Sequence, residues 1–175
     1  MDVKNSLDKF GKSVVKQSRT QLTKKKKNAS KALYNSIDYD LKVSKNSFEL
    51  SFSMEDYGTF VDKGVKGVGG TKADGSNWKK KKVVGSKFKY TNKKPPASAF
   101  NNWTVRKGIA PRGKGGQFTT RKGLQFAIAN SVYHTGLETT NFFTKPFEAA
   151  FKRLPDDLVQ AFGLEVDKLF KNTVL

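Results

Sequence analysis

The residues 64-GVKGVGGT-71 carry the spacing nearest to a known catalytic device. A phosphate-binding loop of the form G-x-x-x-x-G-K-[ST] sets its lysine on the β/γ-phosphates and its hydroxyl on magnesium. Gly64, Gly69 and Thr71 fit that spacing, but Gly70 holds the lysine position and Lys72 follows the threonine. Ala73-Asp74-Gly75-Ser76-Asn77, a run of turn formers, then stands where a helix should open. His134 is the one histidine, with no serine or cysteine nucleophile in a recognisable motif. Placed after an apolar helical run, it reads as a helix-end cation or a surface residue. Carboxylates pair at Glu55-Asp56, leading into a turn, and at Asp156-Asp157, suited to a helix N-terminus. The absence of cysteine excludes a disulfide framework and a thiolate metal site. The expectation is a protein without enzyme activity, cofactor or metal.

What remains is charge. The 175 residues hold 34 Lys/Arg against 15 Asp/Glu, a net +19. Residues 1–36 carry ten basic residues and two acids, and residues 37–62 reverse this with two and six. Residues 63–94 carry eleven lysines against Asp74, and residues 95–122 six basic residues and no acid. The acids of 37–62 suit pairing between subunits or segments. The runs Lys24–Lys27 and Lys79–Lys82 read either as a solvated face or as phosphate contacts. In the second case Trp78, Phe88 and Tyr90 would be available to stack on bases. No helix-turn-helix, zinc-finger or ribonucleoprotein motif supports sequence-specific reading.

The elements that position these groups follow from periodicity. Val3, Leu7, Phe10 and Val14 predict an opening amphipathic helix, roughly continued by Leu22, Ala29, Leu33 and Ile37. At Lys24–Lys27 either the helix bends or that turn leaves the body. Gly11 weakens the helix without stopping it. Strict alternation at Tyr39, Leu41, Val43 and at Phe48, Leu50, Phe52, Met54 predicts a hairpin with one buried face. Phe88 and Tyr90 could add a third strand. Phe100 and Trp103 mark a short helix closed by Gly108. Thr119 or Thr120 can cap a helix with Leu124, Ala127, Ile128 and Val132 inward and Gly136 past its end. Phe143, Phe147, Phe151 and Leu154 mark another helix. Pro155 breaks it and opens a last one, with Val159, Phe162, Val166 and Leu169/Phe170 inward. The high Phe content of 142–170 serves either a core or a subunit interface.

The fold class is therefore α+β. A small antiparallel sheet packs with an N-terminal helix and C-terminal helices, and a long basic Gly/Lys-rich loop interrupts them. Residues 1–175 form a single domain with an inserted flexible basic arm at about 64–94. No apolar run approaches membrane-spanning length, and the N-terminus lacks a signal peptide's apolar stretch.

Four stretches resemble one family. DYGTFVDKG (56–64) is similar to the Tyr-x-x-Phe-Val-Glu-x-Gly-Thr segment of bacteriophage neck and tail-completion proteins, through Tyr57, Phe60, Val61 and Gly64. FFTKPFEAAF (142–151) resembles the Ala-Arg-Pro-Phe-x-x-Pro-Ala segment near that family's last helix, through Phe143, Pro146 and Phe147. LYNSI (33–37), before two alternating strands, resembles the end of its N-terminal helix. PPASAFNNWTVRKGI (95–109), followed by GQFTTRKGLQFAIANSVYHTGL (116–137), resembles an insertion found in many phage relatives. The resemblance implies a non-enzymatic subunit of a ring, of roughly 6 or 12 copies with closed symmetry. Such a ring sits at the head–tail junction of a virion assembled in the host cytoplasm. It joins portal or adaptor to tail proteins around the DNA channel, in a neck, tail-completion or tail-terminator role.

In that setting Lys63, Lys66, Lys72, Lys79, Lys80, Lys81, Lys82, Lys87 and Lys89 would belong to an assembly arm that meets acidic portal or tail surfaces, or DNA. The alternative is a sequence-nonspecific nucleic-acid-binding protein acting through its lysine-rich loops.

Overall fold

The computed structural model describes residues 3–44, 47–113, 115–154 and 158. Helix α1 spans Val3–Lys24, and its inner stripe of Leu7, Phe10, Val14, Ser18 and Leu22 is buried. The spacing of three and four residues sets that stripe on one side of the helix. The helix neither bends nor runs on through the lysines. It stops at Lys24, Lys26 and Lys31 take left-handed backbone angles, and a second helix, α2, covers Ala32–Ser36. Leu33 and Ile37 return to the core from beyond that turn.

Strands β1 (Asp38–Ser44) and β2 (Ser47–Ser53) pair antiparallel from Asp38↔Ser53 to Ser44↔Ser47. Tyr39 and Leu41, with Phe48, Leu50 and Phe52 opposite, face the body as the alternation predicts, but Val43, expected on the same face, is 49 % exposed because it lies at the turn end of the hairpin, past the reach of the core. The Tyr39 ring lies against Gly11, where an added Cβ would meet its atoms at 2.7 to 2.8 Å. Gly11 therefore trades helix propensity for close packing of helix on strand. The Tyr39 hydroxyl donates to Asp8 at 2.7 Å, and the Arg19 guanidinium donates to the Ile37 carbonyl at 2.8 Å.

Helix α3 is Gly58–Lys63, and strand β3 is Val65–Lys66. After a 3-10 turn at Ala97–Phe100 come α4 (Asn101–Arg106), α5 (Arg121–Thr135), strand β4 (Gly136–Leu137) and α6 (Thr144–Phe151). The Thr120 hydroxyl caps α5 by accepting the Gly123 N–H at 3.1 Å. Helix α6 packs on α1 edge-to-face, Phe10 against Phe147 at 5.4 Å, and Phe52 of β2 meets Phe143, just before α6, in the same way at 5.5 Å.

Two expectations about the sheet and α5 are corrected. The described residues hold two separate two-stranded antiparallel sheets, β1–β2 and β3–β4, not one sheet with a third strand. The stretch around Phe88 and Tyr90 joins the second sheet instead, by one isolated parallel bridge from Lys89 to Lys66. In α5 only Ala129 is buried, while Leu124, Ile128 and Val132 are partly covered and Ala127 is exposed. The 3-10 turn, α4 and β4 pack against α5 without enclosing that face, so helical spacing alone does not bury it. The last helix expected over Val159–Phe170 lies outside the described residues.

Candidate functional site

Asp62, near the end of α3, is 3 % exposed, and its carboxylate is turned to the start of α6. It accepts the Phe143 N–H at 2.8 Å, the Thr144 N–H at 3.3 Å and the Thr144 hydroxyl. A carboxylate there satisfies N–H groups that α6 cannot pair internally and complements the positive end of the helix. The Asp62 carbonyl accepts the N–H groups of Thr140 and Asn141 at 3.0 and 2.9 Å. The Thr139 and Thr140 hydroxyls donate to the carbonyls of Lys63 and Val61. Lys63 donates to the Thr144 hydroxyl at 2.9 Å and lies 3.9 Å from the Asp62 carboxylate.

Gly64 closes this junction. Its φ of 76° lies in the left-handed region, and an added Cβ would stand 2.6 Å from the Leu137 carbonyl oxygen. Only glycine fits such an approach of two backbones. Val61 packs on the core from its side, and Phe143, Pro146 and Phe147 are buried on the other. Pro146 falls in the first turn of α6, where a missing N–H costs no helical bond. Tyr57 and Phe60 stay outside this knot, 42 % and 40 % exposed, with Phe60 against Phe88 at a centroid distance of 4.6 Å. The fold thus unites two motif segments about eighty residues apart.

The basic segment runs close to the body. Residues 67–96 hold no helix and only isolated bridges. Yet Val68 and Gly69 donate to the carbonyls of Tyr133 and His134, Lys81 donates to Thr135, and Thr139 donates back to Lys82. The Ser86 hydroxyl donates to Gly64 at 2.7 Å. The turn formers 72–76 do make a turn, closed by Lys72 N–H to the Ser76 carbonyl at 2.7 Å. No helix follows Thr71, as the failed phosphate-loop match anticipates.

The aromatics expected to stack on bases are engaged internally. Trp78 stacks on His134 at 5.1 Å with planes 6° apart, and Lys72 lies 5.3 Å from its ring centre. Phe88 meets Phe60, and Tyr90 meets Tyr133. His134 also contacts the Gly69 carbonyl through Nδ1. It therefore anchors the basic segment, a role the lone histidine's position did not suggest.

Lys66, Lys79, Lys80, Lys81, Lys82, Lys87 and Lys89 are exposed. Lys63 belongs to the junction and Lys72 to the Trp78 stack. What spacing could not foretell is a convergence of lysines from three distant segments. The Lys107 ammonium reaches the Lys26 carbonyl at 3.5 Å. The Lys27 ammonium is pushed below the ordinary lysine range by partial desolvation first, then by Lys81, with Lys107 and Lys25 adding and Glu138 opposing. Both lysine runs thus contribute to one positive surface.

No protein-family model, curated protein or solved structure matches this chain. Among the described residues, no group of three His, Cys, Asp or Glu is placed to hold a metal ion. No helix among them is long and apolar enough to cross a membrane.

Proposed function

We propose that this protein is a structural subunit of an oligomeric ring at a phage head–tail junction, in a neck, tail-completion or tail-terminator role. The observation that carries the reading is the Asp62 junction. The stretches that resemble the neck-protein signature, DYGTFVDKG and FFTKPFEAAF, meet there through the Asp62 carboxylate and backbone. Motif residues that hold one another serve a shared scaffold. In this role the lysine-rich segment is the docking element. Its charges lie on a surface tied to the scaffold and meet acidic portal or tail proteins, where complementary charge speeds encounter and selects the partner.

The second reading, sequence-blind nucleic-acid binding, is favoured by the convergence of Lys25, Lys27, Lys81 and Lys107. Light scattering of the purified protein across a salt series, with and without duplex DNA and with portal or tail preparations, tests both. The ring reading expects self-assembly or joining to virion components. A monomer that joins neither and binds duplex tightly at physiological salt overturns it. In that case log K should fall linearly with log salt, with a slope of about −0.9 per phosphate neutralised.

A further inference from the structure

Three helix ends meet at lysines. Helix α1 stops in a left-handed turn, where the Lys26 N–H donates to the Thr23 carbonyl at 3.0 Å and the Lys27 N–H to the Leu22 carbonyl at 2.9 Å. Lys26 has a φ of 54°, at a position that glycine usually takes because it has no Cβ to strain there. Helix α4 ends in the same way, with Gly108 at a φ of 63° and the Ile109 N–H on the Thr104 carbonyl at 3.0 Å. Lys107, just past its end, reaches the Lys26 carbonyl with its ammonium at 3.5 Å. Helix α5 ends at Thr135, whose carbonyl accepts the Lys81 N–H at 2.8 Å, and the Lys82 carbonyl accepts the Thr139 N–H at 3.3 Å. The backbone of all three lysine-bearing segments is therefore fixed. Lys81, Lys107, Lys25 and the acid Glu138 are the charged neighbours of Lys27.

A helix C-terminus attracts cations, which accounts for one lysine at each end. It does not account for ammonium groups of different segments held against one another with one carboxylate among them. Like charges kept together by a fixed backbone call for a counter-charge. We infer that Lys27, Lys81 and Lys107 together form one phosphate site, and that it holds the sugar–phosphate backbone of duplex DNA without contact to the bases. This site rests on the nucleic-acid reading of the lysines, to which it gives a location and a binding mode. A phosphate presents several acceptor oxygens on one compact group, so ammonium groups from three segments can share it. The carboxylates of an acidic protein surface stand on separate side chains instead. Trp78, Phe88 and Tyr90 are occupied by His134, Phe60 and Tyr133, so they offer bases no platform for stacking. Without stacking, the form with the higher charge density binds better, and that is the duplex.

Anisotropy of a short labelled duplex, titrated with the full-length protein over a salt series, tests the site. Lys27→Gln/Lys81→Gln/Lys107→Gln should bind about tenfold more weakly than Lys9→Gln/Lys16→Gln/Lys122→Gln, which loses the same charge from exposed positions elsewhere. The slope of log K against log salt should be shallower by about 0.9 in the first variant than in the second, the share of one phosphate. Glu138→Gln, which removes the acid beside Lys27, should bind about threefold more tightly. Equal losses in the two triple variants overturn the site and leave the nucleic-acid reading to other lysines. A slope difference of about 2.7 gives each lysine its own phosphate and overturns the shared site. A single strand that binds more tightly than the duplex overturns the backbone-only mode. Tripolyphosphate that binds more tightly than the duplex overturns the choice of ligand and makes it a free polyphosphate. A wild type that binds no duplex sinks both the site and the nucleic-acid reading.

Discussion

The half of the chain built around α1, the β1–β2 hairpin and α6 treats its large side chains differently from residues 97–127. In the first, Phe10, Phe142, Phe143, Phe147 and Phe151 are at most 9 % exposed, and Phe10 meets Phe147 and Phe151 edge-to-face. In the second, Trp103, Phe118 and Phe126 stand in solvent, and the buried residues of α4 and α5 are Thr104 and Ala129. Hydrophobic content is similar in kind but opposite in use. Aromatics that stabilise a fold are enclosed by it, whereas aromatics left outside have to be explained by something that meets them.

The contrast is broken most easily from the core side. Phe147→Ala removes a ring that touches Phe10, Phe52 and Phe143, and should lower stability by about 3–5 kcal/mol in urea unfolding. Asp62→Ala strips α6 of its buried cap and should cost about 3 kcal/mol, with Asp62→Asn losing less because one acceptor remains. Gly64→Ala sets a Cβ against the Leu137 carbonyl in a left-handed conformation, and about 1–3 kcal/mol should be lost in the same assay. On the other surface Trp103→Ser/Phe118→Ser/Phe126→Ser should cost no more than about 0.5 kcal/mol per site, about 1.5 kcal/mol together, in the same unfolding assay. A large loss there would erase the distinction between the regions.

The smallest effect lies at the hairpin's contact with α1. The Asp8 carboxyl is held below its ordinary range, first by the hydrogen bond from Lys12 and then by that from the Tyr39 hydroxyl. A lowered folded value means that its contribution is present above the unfolded pKa and lost as pH falls through the folded one. Asp8→Asn should therefore reduce stability slightly at neutral pH and flatten the acid limb of a pH–stability curve. An unchanged acid limb would show that this contact carries no pH dependence.

Much of the first region is legible in the sequence. A period of two at Tyr39–Leu41 and Phe48–Met54 fixes both the hairpin and its buried face, because one residue of slip would turn every side chain outward, whereas Val43 continues the period beyond the core and stays exposed. The α1 stripe is equally plain, and the motif residues identify where α3 meets α6. Asp62 was not legible as the link, since a helix cap supplied from 82 residues upstream leaves no local pattern. The meeting of Lys27, Lys81 and Lys107 escapes for the same reason. Phe88 and Tyr90 alternate like a strand, but their one bridging partner lies in a two-residue strand. For α5, spacing showed which residues share a side and not whether anything covers it.

The two-residue ladder of Val65↔Leu137 and Lys66↔Gly136 has a consequence for the chain's history and its folding. The chain from 67 to 135 leaves and re-enters beside this ladder and is tied back to the body at Ser86, Phe88 and Lys107, so length is best changed in its exposed turns between those ties. Each doubling of that excursion costs only about 0.6 kcal/mol in closure entropy. A chain shortened in those turns should retain the Asp62 knot and fold faster, because the two halves of that knot would have to find each other across a shorter tether.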